Sequence, residues 1–508
     1  MVWILGLYII NSLFMLIVAI REVRRPAKAL IGLVICLVFP LIGFLFYLCM
    51  TNPIPLRQKR LTSTQNDSEA LPDSFRYSSL LIARSLRHLA VNGLRTGKVQ
   101  ILTNGIETYQ TLMDSIKKAQ KSIDLEYYIY RDDQVGRCMT DLLIERASAG
   151  VRVRFVRDGW GSRKFPKSQI SRMMQAGIEC RSSFPLRFPW VMSYWSYRNH
   201  CKIVVIDGEE AFTGGINVGD EYTGLKPNVG FWRDTHIRIT GKPANDLQAV
   251  FDAHWNIAAP ETTWAGRNIQ PEDTGTPVLV RNQRLKPENR PGNTPPSPSW
   301  LTEWSDEPIA LNETNVDTLS GTKSVQNAYI QTFEGNPGVP TPIIREVYFT
   351  CLSHAIQSID ITNPYFVPDA DIVMAIKAAV ARSVRVRLLV PRHVVPIIVG
   401  AASRTYFGEL LEAGVHIYLY NKGVLHAKLM IIDGEIAEVG SSNFDLRSYR
   451  LNYEVCEVVY SSEIARELAE QFERDLADSI PLRMEDLLRR TQLQRILDQT
   501  ARLLAPMI

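Results

Sequence analysis

Several protein classes are excluded by what the chain has little of. Its 508 residues include only 30 glycines, 28 prolines and 7 cysteines, too few for a collagen-like, low-complexity or disulfide-scaffold protein. A strong excess of one charge is also missing, because 57 basic residues nearly balance 53 acidic ones. The net charge of +4 gives no argument for a nucleic-acid partner. With 46% hydrophobic residues the chain can bury a large core, and its length suggests about three units.

The cysteines form no metal-binding or disulfide pattern. They are odd in number, widely spaced and contain no C-x-x-C pair, so neither a zinc site nor a disulfide framework is indicated. We expect mostly buried thiols at the following positions: Cys36, Cys49, Cys138, Cys180, Cys201, Cys351 and Cys456.

Two long apolar runs open the chain. Residues 1–20 and 29–50 carry no charged side chain. Each run has about the twenty residues needed to cross a hydrocarbon core roughly 30 Å thick, so we predict two N-terminal transmembrane helices. Two buried core helices are the alternative, and Pro40 can kink the second helix or turn the pair into a shallow hairpin. Basic residues flank the second run on both sides, which leaves the orientation open.

The rest of the chain contains an internal duplication. The sequence KSIDLEYYIY at 121–130 is echoed by QSIDITNPYF at 357–366, and each is followed by a helical stretch and a basic strand, at 151–154 and 384–387. Short β-branched runs alternate with amphipathic windows, as in α/β layered domains. Several matches in the same order therefore predict two copies of one α/β fold.

These patterns divide the chain into five parts. The parts are two transmembrane helices at 1–50, a linker at 51–95, the first copy at 96–260, a connecting segment at 261–342 and the second copy at 343–508. The connecting segment is dense in Pro, Asn and Gly near 277–300 and has no periodicity there. The second copy ends in a helical pattern at 484–504, either docked on the domain or lying on a membrane surface.

Each copy carries the same chemically capable residues. The first reads HCKIVVIDG from His200 and GGIN from Gly214, and the second reads HAKLMIIDG from His426 and GSSN from Gly440. A His and a Lys two positions apart on a strand point to the same face, so they can share one ligand. A neutral imidazole can attack phosphorus, and a Lys ammonium supplies donors and positive charge to phosphate oxygens. The duplicated pattern predicts one phosphate site with two histidines and two lysines.

The doubled His-x-Lys-(x)4-Asp element resembles the phospholipase D superfamily. The two apolar runs and several further motifs resemble bacterial cardiolipin synthases in particular; the motifs are NH from Asn199, DEY from Asp220, WRDT from Trp232, PYFVPD from Pro364 and NFDLR from Asn443. The likeness covers nearly the whole chain and is weakest over residues 262–342. One departure is Cys201, which stands where that family often has Arg and so removes a basic contact.

The resemblance implies two phospholipase D-like α/β/α layered domains, related by a pseudo-twofold axis, with both histidines in one cleft. It implies a multi-pass cardiolipin synthase of the bacterial plasma membrane that moves a phosphatidyl group from one phosphatidylglycerol to another and releases glycerol. The implied partners are phosphatidylglycerol and membrane lipid, with no nucleic acid, cofactor or metal. The alternatives are a phospholipase D that makes phosphatidic acid, and a non-catalytic scaffold that binds anionic lipid.

The resemblance also assigns roles to the duplicated residues. His200 is expected to form the phosphatidyl-histidine and His426 to act as acid and base, although the reverse assignment stays open. The groups expected to hold the phosphate oxygens are Lys202, Lys428, Asn217 and Asn443.

Four carboxylates accompany these groups in the sequence. Asp234 and Glu454 resemble the carboxylates that orient the imidazoles, with an ordinary salt bridge at a strand end as the alternative. Asp207 and Asp433 complete the catalytic signature, but we expect them to brace the loop after each strand rather than to touch substrate.

Overall fold

The computed structural model describes residues 2–21, 26–40, 43–44, 69–186, 196–226, 229–261 and 325–504. Apart from Glu261, these residues belong to one unit formed by 1–260 and 323–508. Most of the predicted connecting segment, at 262–324, lies outside the described residues.

Two helices, α1 (Val2–Arg21) and α2 (Pro26–Val38), begin the chain. They pack on each other around Val18 and Cys36. The 13 residues of α2 span only about 20 Å, and the helix ends before Pro40, because the residue preceding a proline disfavours helical geometry. Within the described part of the chain, no helix combines the length and apolar composition that crossing a bilayer requires. The two predicted transmembrane helices are therefore not confirmed.

Strands and helices alternate in the first half of the chain. The strands are β1 (Arg95–Thr103), β2 (Ser122–Tyr127), β3 (Arg152–Asp158), β4 (Glu179–Ser183), β5 (Arg198–Asn199), β6 (Lys202–Ile206), β7 (Glu210–Gly214), β8 (Trp232–Arg233), β9 (Thr235–Gly241) and β10 (Ala259–Pro260). The helices are α3 (Tyr77–Leu86), α4 (Asn104–Lys118), α5 (Gln134–Ser148), α6 (Lys167–Gln175) and α7 (Lys242–Ile257), with a 3-10 turn at Asp220–Thr223.

The second half repeats this alternation. Its strands are β11 (Gln326–Gly335), β12 (Ser358–Thr362), β13 (Phe366–Val367), β14 (Arg385–Pro391), β15 (His416–Tyr420), β16 (Val424–Leu425), β17 (Leu429–Ile432), β18 (Ile436–Gly440), β19 (Phe444–Asp445), β20 (Asn452–Tyr460) and β21 (Ser479–Pro481). Its helices are α8 (Ile343–His354), α9 (Ala370–Ala381), α10 (Ile397–Glu412), α11 (Leu446–Arg450), α12 (Ser462–Ala477), α13 (Met484–Leu488) and α14 (Gln492–Leu504).

The strands of the two halves follow the same order outward from the centre. Beginning at β1, the neighbours are β9, β7, β6, β2, β3 and β4, and beginning at β11 they are β20, β18, β17, β12, β14 and β15. The antiparallel pair β1–β11 joins the halves. Because two equivalent antiparallel strands are exchanged by a local twofold rotation, the duplicated sequence becomes a pseudo-symmetric structure. The predicted mixed α/β fold is confirmed.

Burial explains why the strands that carry the motifs are so apolar. Every residue of β6 and β17 is buried, because the sheet is covered on both faces, as expected for layered α/β domains. Helix α12 presents Ile464, Leu468 and Phe472 to the core. The sequence IVVI after Lys202 and its counterpart LMII after Lys428 therefore anchor both motifs in the centre of the fold.

The C-terminal helix α14 docks on α10. Arg404 pairs with Asp498 at 2.8 Å, and the guanidinium of Arg502 lies 4.3 Å from the ring centre of Tyr406. The other side of α14 exposes apolar side chains, namely Leu493, Ile496, Leu497 and Leu503. Helix α14 is therefore docked on the second copy, and it also presents an apolar face to the surroundings.

Candidate active site

Two short parallel strand pairs cross from one copy to the other and lead directly to the histidines. Strand β5 pairs with the start of β20, and β16 pairs with β8. The backbone N–H of His200 donates to the carbonyl of Tyr453 at 2.9 Å, and that of His426 donates to the carbonyl of Arg233 at 2.8 Å. Each histidine is therefore fixed in place by the opposite copy.

The imidazoles of His200 and His426 line the same cavity, which has a volume of about 1180 Å³. Asn217 and Asn443 line it as well. Lys202 and Lys428 lie beside the histidines and are almost completely buried. The structure thus brings together the two copies of the predicted motif around one space.

Two buried carboxylates hold the imidazoles, and each comes from the opposite copy. Glu454 Oε2 lies 3.0 Å from His200 Nδ1, and Asp234 Oδ2 lies 2.7 Å from His426 Nδ1. Burial raises the pKa of each carboxyl, but the neighbouring histidine and lysine outweigh it and lower the pKa overall. An ionised carboxylate only accepts hydrogen bonds, so Nδ1 carries the proton and Nε2 is the basic nitrogen of each ring.

Burial also sets the charge of the imidazoles. It lowers the pKa of His200, although Glu454 opposes this effect. In His426, burial and the charge of Lys428 together lower the pKa to about 4. Both rings are consequently neutral at neutral pH in the free site, which is the form that can act as a nucleophile or base.

The two lysines contact the histidines differently. Lys202 Nζ donates to the carbonyl of His200 at 2.5 Å. Lys428 Nζ donates to the carbonyl of His426 and also lies 2.9 and 3.2 Å from Nδ1 and Nε2 of that ring. Burial lowers the pKa of Lys202 to about 8 and that of Lys428 to about 7, against the pull of the buried carboxylates. A bound anion would raise the pKa of both lysines and so favour their charged form.

The two asparagines, which are equivalent in sequence, differ in their bonding. Asn217 accepts from the backbone N–H of Ile129 at 3.1 Å and donates to the hydroxyl of Tyr222 at 3.1 Å, so both ends of its amide are engaged. The Oδ1 of Asn443 is buried and has no hydrogen-bond partner among the described residues. Asn443 therefore has more capacity to rearrange toward a ligand than Asn217.

Asp207 and Asp433 do not line the cavity with the two histidines. Asp207 accepts from the backbone N–H groups of Gln120, Lys121 and Ser122, and Asp433 accepts from those of the equivalent residues 356–358. Burial raises the pKa of Asp207, but these N–H donors outweigh it and lower the pKa overall. Four strand residues lie between each Lys and its Asp, so five residue steps of about 3.3 Å, or about 16 Å, separate the two positions. These hydrogen bonds agree with the expected bracing role, and the membership of Asp207 and Asp433 in the catalytic signature stays a prediction.

The sequence motifs did not single out the aromatic residues at the histidines. The ring of Tyr128 lies 4.9 Å from that of His200, and the ring of Trp232 lies 5.3 Å from that of His426. Ser441 was also missed as a donor to Glu454, with its Oγ 2.5 Å from Oε2. Trp232 immediately precedes Arg233 and Asp234 in WRDT, and this adjacency was the available signal.

A second buried cluster lies beneath the site. The potential ligand atoms of Glu126, Cys201 and His254 lie within 4.8 Å of one another. However, both ring nitrogens of His254 already contact carboxylates, Glu126 at 2.8 Å and Glu334 at 3.1 Å. Burial lowers the pKa of His254, but the two carboxylates outweigh it and raise the pKa to about 10. His254 is therefore protonated and bonded to both carboxylates, and Cys201 beside it is completely buried.

Comparison with known proteins decides the family. The family described as "Cardiolipin synthase, PLD-like domain" matches residues 112–255 and 348–476, more than half of the chain. The chain belongs to this cardiolipin synthase family. The resemblance drawn from its motifs is thereby confirmed, and the chain is an enzyme of the phospholipase D superfamily.

Full-length relatives support the same family assignment. A cardiolipin synthase of Halalkalibacterium halodurans is 35% identical over 100% of this chain and 95% of its own length. Cardiolipin synthase 2 of Bacillus anthracis is 34% identical over 96% of this chain and 88% of its own. These relatives are named as synthases, which favours transfer over hydrolysis. A phosphatidylserine synthase structure from Haemophilus influenzae covers 84% of the chain and 100% of its own, with a TM-score of 0.59 and 13% identity, and shares the fold.

Proposed function

We propose that the enzyme joins two phosphatidylglycerol molecules into cardiolipin and releases glycerol through a phosphatidyl-histidine at His200. The observation that carries this proposal is the pair of crossed histidine–carboxylate contacts that open on one cavity. Two imidazoles at one phosphorus supply a neutral nucleophile and a separate proton carrier, which is what a two-step displacement needs.

The first step forms the covalent intermediate. Nε2 of His200 attacks the phosphorus, the bond from phosphorus to the glycerol oxygen breaks, and protonated His426 gives its proton to that oxygen. The negative phosphodiester raises the pKa of His426 on binding, because an adjacent anion favours the imidazolium. Lys202, Lys428 and Asn443 stabilise the charge on the phosphate oxygens during the displacement.

The second step transfers the lipid. A hydroxyl of a second phosphatidylglycerol gives its proton to His426 while its oxygen attacks the phosphorus, and the bond from phosphorus to His200 breaks. Water would give phosphatidic acid by the same route. The outcome therefore depends on whether lipid hydroxyl or water reaches the intermediate.

We also propose that the enzyme works at the bacterial plasma membrane with its N-terminal helices in contact with lipid. Helix α1 exposes a set of large apolar side chains, namely Leu7, Tyr8, Ile9, Ile10, Leu13, Leu16 and Ile20. Apolar exposure on this scale marks interaction surfaces of soluble domains or contact with a bilayer. A helix whose only charged residue is Arg21 at its C-terminal end is suited to contact with a bilayer.

Lipid analysis in a cardiolipin-free bacterium tests the reaction. Wild type should restore cardiolipin, and His200→Ala and His426→Ala should each lower it at least about a thousandfold. Purified enzyme with phosphatidylglycerol should give equal amounts of cardiolipin and glycerol. Phosphatidic acid as the main product would favour the hydrolase, and cardiolipin from His200→Ala at the wild-type level would contradict the nucleophile assignment.

An activated substrate separates the roles of the two histidines. A phosphatidyl ester of p-nitrophenol has a leaving group that needs no proton, so His426→Ala should still release a burst of nitrophenol and retain labelled lipid on the protein. His200→Ala should give neither. The opposite pattern would assign the nucleophile to His426.

A further inference from the structure

The two copies differ most in the segment that follows an equivalent strand. Each of these segments contains a proline that directly precedes a helix, Pro166 before α6 and Pro396 before α10. Aligned on that proline, residues 164–168 read KFPKS with two lysines, whereas residues 394–398 read VVPII without a charge. The duplication thus supplies its own comparison, with one charged segment and one apolar segment at matching places.

The apolar segment is held in an exposed position. Val395 is 76% exposed, Ile397 81% and Ile398 37%. The hydroxyl of Tyr365 donates to the carbonyl of Val395 at 2.9 Å, which ties the segment to the cavity wall. Single exposed apolar residues are ordinary on a protein surface, but three within four residues beside a cavity mark a contact surface.

The wall of the cavity also differs in polarity between the two copies. On the second-copy side it is lined mainly by apolar groups, including Tyr365, Val367, Pro391, Val394, Val399 and Ala402. On the first-copy side the lining is largely charged, including Arg131, Asp132, Asp133, Lys164, Glu221 and Lys226. The histidines lie between these two walls, at the place where a phosphodiester between an apolar and a polar group would react.

We propose that residues 394–398 insert into the bilayer surface and that the apolar wall of the second copy receives the acyl chains of the phospholipid. The charged wall of the first copy then faces the glycerol headgroup. The histidines and the apolar wall line one continuous cavity. A single bound molecule must therefore carry both a phosphodiester and long apolar chains. Helix α14, whose apolar face is exposed, packs on α10, the helix that begins within this segment. This inference rests on the proposed function.

Charged substitutions in the segment provide the test. The double variant Ile397→Glu with Ile398→Glu, at two exposed residues of the segment that do not line the cavity, should bind phosphatidylglycerol vesicles at least about tenfold more weakly and lose activity on them in proportion. Activity on dibutyrylphosphatidylglycerol, which is soluble and needs no bilayer, should stay within about twofold of wild type. Met374→Glu and Ile356→Glu, at apolar residues that are exposed but do not line the cavity, should behave as wild type on both substrates.

An aromatic replacement tests whether any substitution in the segment weakens vesicle binding or only a charged one. Ile397→Trp should keep vesicle binding, because Trp favours the membrane interface. Equal losses on vesicles and on the soluble lipid, or equal losses in the control variants, would overturn the inference. So would a wild-type dimer that the double variant loses, since a second copy would then cover the segment. No cardiolipin from either substrate with wild type would instead reject the proposed function.

Discussion

Residues with identical places in the two motifs acquire different properties from their neighbours. Lys428 contacts the ring of His426, whereas Lys202 is bonded to the carbonyl of its histidine. Asn217 is engaged at both ends, whereas Asn443 has an unbonded oxygen. A reaction with one nucleophile and one proton carrier needs such a difference. Here it arises from packing around a duplicated sequence, which the motifs themselves do not reveal.

The pH dependence of kcat/KM should be bell-shaped because it reports the ionisation of the free enzyme. Burial lowers the pKa of His200 below 6.5, so the rate should fall only when the pH drops below that value. Burial lowers the pKa of Lys428 to about 7, so the charge that holds phosphate should be lost as the pH rises above it. In Lys428→Arg the guanidinium stays charged, and the alkaline limb should move up by at least about one pH unit. An unchanged alkaline limb in steady-state assays would contradict this role.

The same lysine should reduce stability where it is charged. Its pKa falls from 10.5 to about 7 on folding, so the folded state binds the proton less tightly and stability is lost as the pH falls through that range. Lys428→Met should therefore be inactive yet melt several degrees above wild type at about pH 6, with a smaller difference at about pH 9. Calorimetry measures both, with surface Lys377→Met as the control. A difference that does not vary with pH would exclude this explanation.

Among the elements, the junctions between strands hold the site together. Gly215 follows β7, and a Cβ atom there would lie 2.0 Å from Oδ1 of Asp234. Gly215→Ala should displace this carboxylate from His426 and lower kcat by about tenfold to a hundredfold without contact with substrate. The alkaline limb of the kcat profile should also move to lower pH, because Asp234 raises the pKa of His426, which must be protonated in the enzyme–substrate complex.

Gly177→Ala is the matched control for that substitution. Its φ of +90° makes alanine strained, but a Cβ there meets no atom within 4 Å. It should lower the melting temperature without a shift in the pH profile. The same profile for Gly215→Ala as for wild type would show that Asp234 tolerates the methyl group.

The elements also show how far the sequence could be interpreted. The repeated HxK(x)4D pattern predicted two buried strands, because valine and isoleucine runs of that length bury both faces. Helix α3 lies in the predicted linker and β11 in the predicted connecting segment. Both were missed because the motifs start only later in each copy. The pairs β5–β20 and β8–β16 could not be predicted, since two residues carry no periodicity and the partners are far apart in sequence.

At the scale of the whole molecule, neither copy is complete alone. One core cluster contains Val99 and Ile203 of the first copy together with Tyr453 and Val455 of the second. The β1–β11 pair joins the sheets, and each imidazole depends on a carboxylate from the other copy. The sequence predicted the duplication and the shared cleft. It did not predict this exchange of carboxylates, because Asp234 and Glu454 differ in type and stand in dissimilar motifs.

Complementation tests whether one chain makes one site. His200→Ala and His426→Ala, co-expressed so that they fold together, should give no more cardiolipin than either variant alone, because both histidines of a site come from the same chain. If chains exchanged copies freely, about a quarter of the sites would combine two intact histidines and activity would return in that proportion. Lipid analysis of the co-expressing strain decides between these outcomes. Wild type co-expressed with either variant is the control and should show that the variant chain does not inhibit the wild-type chain. Recovery near a quarter would mean that the crossed carboxylates join two chains.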